Sequence, residues 1–160
     1  MKLWDEVCSL KLSKKLKKLG VTQESRFYWW KFDGKYHLSF RFGERIICIS
    51  NFNFFTTYGH KTEEYCSAFT ASELGEMLPQ EIFIEGNHYC GDYINNNFWL
   101  EFNRDCELSK TKIMKGWIYF YTNGENNIKF DYCQENWDTN ESSSRAKLLI
   151  HILENNYIKL

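Results

Sequence analysis

The sequence predicts an α+β domain: a mostly antiparallel sheet of about six or seven strands, with an N-terminal helix, a short central helix and a C-terminal helix. Three observations point there. Apolar residues recur with helical spacing near both ends of the chain, and with a two-residue alternation through much of the middle. The middle carries aromatic-rich runs such as "RFYWWKF" (Arg26–Phe32). Turn dipeptides such as Asp33-Gly34 and Asn123-Gly124 join neighbouring runs at hairpin distance. The 160 residues fit a single domain, 1–160, and 43% hydrophobic content is enough to bury a core. Pro79 is the one proline, and no Pro/Gly/Ser-rich stretch suggests a linker.

The first helix follows from "CSLKLSKKLKKLG". Ser9 can cap it, it runs to Lys18 or Leu19, and Gly20 lies just past its end. On a helical projection Cys8, Leu12, Leu16 and Leu19 share an arc of about 80°. Lys11, Lys14, Lys17 and Lys18 lie elsewhere, and Lys15 flanks the stripe. Three antiparallel strands should come next. The first is the aromatic run. The second is "KYHLSFRF", where Tyr36, Leu38 and Phe40 alternate with His37, Ser39 and Arg41. The third is one strand from Arg45 to Phe55.

"SAFTASELGEMLP" (Ser67–Pro79) holds a capping box, Thr70-x-x-Glu73, in which each side chain takes the other residue's free backbone N–H. Leu74, Met77 and Leu78 give this short helix an apolar face, and Pro79 stops it. Further strands are expected at Glu81–Gly86, Asn96–Asn103, Gly116–Thr122 and Asn127–Cys133. The last helix should span about Ser144 to Glu154. Ala146, Leu149, Ile150 and Leu153 line one side of it, and Leu148 and Ile152 another. A helix apolar on two sides is either sandwiched in the core or meets a partner, which makes it the candidate contact of a homodimer.

Charge is uneven. The net charge is −1, but residues 1–35 carry nine Lys/Arg against four Asp/Glu, or +5, and residues 36–160 eleven against seventeen, or −6. Such an asymmetry can orient a partner, although a lysine-rich helix face is also ordinary solvation. The lysines oppose one another within the helix. Lys11/Lys15, Lys14/Lys17 and Lys14/Lys18 are like-charge neighbours, each unfavourable by a few tenths of a kcal/mol. Lys17 and Lys18 recover part of this at the helix C-terminus. Lys11 and Lys14 need acids elsewhere in the fold, or a partner, to offset them.

Catalytic and cofactor motifs are missing: there is no P-loop, G-x-G-x-x-G, G-x-S-x-G or H-E-x-x-H, and no cofactor or metal is expected. The six cysteines (Cys8, Cys48, Cys66, Cys90, Cys106 and Cys133) are never closer than 16 residues, which excludes zinc-ribbon spacing. They read as reduced, mostly buried residues of a cytosolic protein. No signal-peptide core and no apolar stretch of about 20 residues occurs, so no membrane role is expected. The best local cluster is "EGNHYCGDY", where Glu85, His88, Cys90 and Asp92 share a turn; turn chemistry accounts for it as well as a reactive site does.

Phe27, Tyr28, Trp29 and Trp30 are consecutive, so two must leave the core face of any strand. Exposed beside lysines, such rings could stack bases or anchor a protein interface; alternatively both faces of the strand are covered. The candidate partner-binding residues are therefore Lys11, Lys14, Lys15, Lys17, Lys18, Arg26, Tyr28 and Trp30.

Taken in order, "CSLKLSKKLKKLG", "TQES", "SAFTASELGEMLP" and "RAKLLIHILENNYI" resemble a family of small proteins encoded by phages and prophages, commonly of Bacteroidetes. The family supplies no catalytic residues to carry over. The resemblance implies a protein made in the cytoplasm of a bacterial host. Small phage proteins without catalytic motifs often act by binding host machinery, anti-CRISPR proteins among them. The expectation is a non-enzymatic inhibitor of a bacterial defence effector, plausibly a nuclease–guide RNA complex. The alternative is a phage accessory protein that binds nucleic acid alone.

Overall fold

The computed structural model of the chain describes residues 5–32, 34–42, 45–50, 53–57, 65–83, 97–104, 107–109, 112–113, 117–122 and 138–159. Side-chain surroundings are described for 5–31, 34–40, 65–82, 100 and 138–159.

The first helix, α1, spans Leu10–Lys18 with Ser9 at its N-cap. Ser9 does not cap through its side chain; its backbone N–H instead donates to Ser143 Oγ at 3.3 Å. The C-terminus is a Schellman turn. Gly20 N–H donates to Lys17 O, Val21 N–H donates to Leu16 O, and Gly20 takes φ +87°. Leu16 and Val21, which bracket this turn, are both buried in the core.

Five strands form the first sheet: β1 (Phe27–Phe32), β2 (Lys35–Phe42), β3 (Arg45–Ser50), β4 (Asn53–Thr57) and β5 (Tyr65–Ser67). Their spatial order is β4-β3-β2-β1-β5, with antiparallel pairing throughout. Gly34, at φ +73°, provides the left-handed residue of the β1–β2 turn. The run expected as one strand from Arg45 to Phe55 is two, because β3 and β4 fold back on each other with Ser50 opposite Asn53. β5 was not expected at all.

A second sheet has the order β10-β7-β6, from β6 (Glu81–Phe83), β7 (Asn97–Arg104) and β10 (Trp117–Thr122). A ribbon joins β8 (Glu107–Ser109) to β9 (Lys112–Ile113). The α+β class and the antiparallel pairing therefore hold. The single sheet of six or seven strands does not, since the described strands divide among three sheets. The strand expected at Asn127–Cys133 lies outside the described residues.

The short helix α2 (Ala71–Met77) begins at the capping box read from the sequence. Thr70 Oγ1 accepts from Glu73 N–H, and the Glu73 carboxylate accepts from Thr70 N–H at 2.7 Å. The same carboxylate also takes the Ser25 hydroxyl at 3.1 Å and Arg26 N–H at 3.0 Å, so one side chain joins α2 to the entry of β1. The last helix, α3, spans Glu141–Glu154, three residues longer at its start than expected, because Asn140 caps it by accepting from Ser143 N–H.

α3 is the centre of the core. It packs on α1, α2 and β10. Ala146, Leu148, Leu149, Ile150 and Ile152 are buried among Cys8, Leu16, Phe69, Leu74 and Leu78. Both apolar stripes are thus used within the chain. Of the two readings offered by the sequence, packing within the core accounts for these stripes among the described residues.

The N-terminal segment is laced across this assembly. Val7 bridges Thr70 antiparallel, Cys8 N–H donates to Phe69 O at 2.8 Å, and Trp29 Nε1–H donates to Cys8 O at 3.1 Å. From the other side, Asn140 Nδ2 donates to Asp5 O and Val7 O, and the Ser142 hydroxyl donates to Glu6 O at 2.6 Å. No helix among the described residues is long and apolar enough to cross a membrane.

Candidate partner-binding surface

α1 packs its apolar stripe inward, with Cys8 and Leu16 fully buried and Leu12 and Leu19 against the same core. That leaves the lysines outside, and the fold sorts them into two sets. Lys15 lies 2.9 Å from the Glu154 carboxylate of α3. Both side chains of this pair are nearly half exposed, at 47% and 44%, so it contributes under about 1 kcal/mol. Lys17 donates to Tyr65 O at 2.7 Å, with its ammonium 5.3 Å from the Tyr65 ring centroid. Both lysines thus have partners within the fold.

Lys11, Lys14 and Lys18 form the other set. All three are exposed, and among the described residues none is ion-paired. At 100° per residue they fall within an arc of about 60°. Lys14 sits over the Tyr36 ring, 4.0 Å from its centroid, an attraction of about 0.5–1 kcal/mol at such a surface.

The pairing of β1 with β2 adds a cation that sequence reading missed. Lys31 is directly opposite Tyr36, so both side chains share one sheet face. Lys31 is exposed and its neighbour across the pair is the ring that holds Lys14. The signal was available: the Asp33-Gly34 turn fixes the register, and counting back from it pairs Phe32 with Lys35 and Lys31 with Tyr36. Arg26 is exposed but enters β1 at its far end, about 16 Å of strand from Lys31. The fold does not gather it with Lys14.

Tyr28 and Trp30 leave the candidate surface. They are 4% and 5% exposed, on the face of β1 opposite Trp29, and Tyr28 sits edge-on to Tyr65 at 5.5 Å. No ring face there is open to a base. Ser39 and Ser67, their neighbours across the strands, are fully buried too, so the expected polar side of β2 is covered at this point. Trp29 is half-buried and spends its indole N–H on Cys8 O.

β5 is an outer strand of its sheet, yet two of its outward backbone groups are occupied. Lys17 takes the Tyr65 carbonyl, and Gln23 Oε1 accepts from Ser67 N–H at 2.9 Å. Side chains thereby close an edge that would otherwise template a further strand. Replacing both, Lys17→Met with Gln23→Ala, is expected to produce concentration-dependent self-association in sedimentation experiments. A double variant that stays monomeric at the highest soluble concentration would contradict this.

Two thiols belong to the described core. Burial pushes Cys8 above the ordinary thiol range, offset in part by the Ser13 hydroxyl 3.2 Å from its sulfur. Burial raises Cys66 from 9.0 to about 11, with Lys17 and Lys14 pulling the other way. Burial thereby holds both thiols in the protonated form at neutral pH. A thiol whose folded pKa is raised binds its proton more tightly in the native state. The stability it contributes is present below pH 9 and is lost as pH rises from about 9 toward 11. Urea midpoints for wild type and Cys66→Ala should therefore converge across that window; parallel pH profiles would refute the assignment.

The Glu85–Asp92 cluster lies outside the described residues. Among the described residues, no group of three or more His, Cys, Asp or Glu side chains is arranged to hold a metal ion. No family model, curated protein or solved structure matches the chain.

Proposed function

We propose that this is a phage-encoded, non-enzymatic inhibitor that binds a bacterial defence effector in the host cytoplasm, a nuclease–guide RNA complex, and blocks its activity. The observation that carries this reading is the row Lys11, Lys14 and Lys18. Their mutual repulsion has no acid in the described fold to offset it, and an anionic partner would supply the offset. The resemblance to phage and prophage proteins read from the sequence of the α1, α2 and α3 blocks motivates the setting.

Phage challenge tests it. Host strains each carrying one defence system, guided nucleases included, are infected with phage with and without this gene. The gene should restore plating on a host armed with a guided nuclease, and Lys11→Gln/Lys14→Gln/Lys18→Gln should abolish the rescue. Equal plating with and without the gene on every host would overturn the proposal.

A further inference from the structure

We infer that Lys11, Lys14 and Lys18 of α1, together with Lys31 of β1, form a surface that grips the phosphate backbone of nucleic acid without reading its bases. The inference deepens the proposed function by naming what this surface touches, and rests on it only in using the same face of α1.

Three features of the surface select phosphate over an acidic protein. The first is composition. Lysine is depleted in protein–protein interfaces, whose energy comes from buried aromatic, aliphatic and arginine anchors. The apolar side of α1 is turned into the core, and the aromatic that touches the row, Tyr36, is half-buried with Lys14 over its ring.

The second is spacing. Seven residues of helix separate Lys11 from Lys18, about 10 Å along the axis. A duplex strand places a phosphate about every 3.4 Å of its axis, so this length runs past about three of them. Lys31 widens the row sideways, on the sheet face that carries Tyr36.

The third is what the surface lacks for base recognition. Stacking needs an open ring face, and among the described residues Tyr28 and Trp30 are buried, Trp29 is half-buried and Lys14 lies over the Tyr36 ring. Phosphate contacts position a nucleic acid but carry no sequence information. The surface should therefore bind by charge alone.

The test is binding of labelled RNA, single-stranded and duplex, two unrelated sequences of each, followed by fluorescence anisotropy over 50–200 mM salt. Four lysine–phosphate contacts give a slope of log K against log salt of about −3, a loss of about 60-fold across that range. The two sequences should bind alike. Each Lys→Gln change among Lys11, Lys14, Lys18 and Lys31 should flatten the slope by about 0.7–0.9. Lys35→Gln is the control, since Lys35 pairs with Phe32 and lies on the other sheet face. No binding at 50 mM salt, a slope unchanged in the fourfold variant, or tight binding of polyglutamate in place of RNA would overturn the inference. Polyglutamate binding with phage rescue intact would leave the proposed function standing and shift its contact to an acidic protein.

Discussion

Phe69→Ala is expected to destabilise the protein by about 3–5 kcal/mol, a large part of the ~5–15 kcal/mol that holds a domain together. Phe69 is the largest fully buried side chain among the described residues. It sits between the end of β5 and the capping box of α2, in the core that α1, α2 and α3 share. Its truncation opens a cavity in the cluster to which all three helices contribute. The cavity cannot be closed by a small backbone shift, because the segment is pinned on both sides: Phe69 O accepts from Cys8 N–H at 2.8 Å, and Ala68 N–H donates to Phe27 O at 2.8 Å. Phe69→Leu keeps most of the volume and should cost under about 1.5 kcal/mol. Urea unfolding followed by circular dichroism separates the two. A loss below about 1 kcal/mol for the alanine variant would show that this part of the core can collapse.

Asn140→Ala ranks next, at about 2–3 kcal/mol. The side chain acts in two directions. Its Oδ1 accepts from Ser143 N–H at 2.9 Å, a helix cap worth about 1 kcal/mol. Its Nδ2 donates to Asp5 O at 2.8 Å and Val7 O at 3.2 Å, and losing both bonds costs about another 1–2 kcal/mol. Asn140→Ser distinguishes the roles, because serine can still cap α3 but cannot reach the N-terminal segment as a donor. The serine variant should recover about half of the loss in unfolding experiments. Hydrogen exchange at the Cys8 amide, which reports the strap, should remain fast in both variants. Protection of that amide at wild-type level in Asn140→Ala would refute the clamp.

How far the sequence discloses the fold depends on the range of the interactions concerned. The Thr70–Glu73 capping box, the Schellman turn at Gly20 and the Asp33-Gly34 hairpin depend on neighbours within a few residues, and all are readable. β5 is not, since three residues become a strand only because β1 pairs with them. The buried serines were hidden for a related reason. Ser142 and Ser143 look like the solvent side of α3, but they serve the backbone of Glu6 and Ser9 from more than 130 residues away. The lysines divide along the same line. Their helical arc can be computed from spacing, but Lys15 and Lys17 are sorted from the rest only by Glu154 and the Tyr65 carbonyl, which folding brings to them. The burial of Tyr28 and Trp30 likewise depends on which face of β1 the rest of the fold covers, which a run of four aromatics does not disclose.

The lacing of residues 5–9 to 140–143 also has a consequence for biosynthesis. Residues 5–9 cannot complete their contacts until the last helix begins to emerge from the ribosome. During that interval the emerging chain carries β1 to β5 with the leucine stripe of α1 and the side chain of Phe69 still lacking α3 to pack against. Contacts of such long sequence separation are slow to form and leave apolar surface uncovered meanwhile. Translation that stalls before Asn140 should therefore release an aggregation-prone fragment, and folding chaperones should engage this nascent chain late in its synthesis.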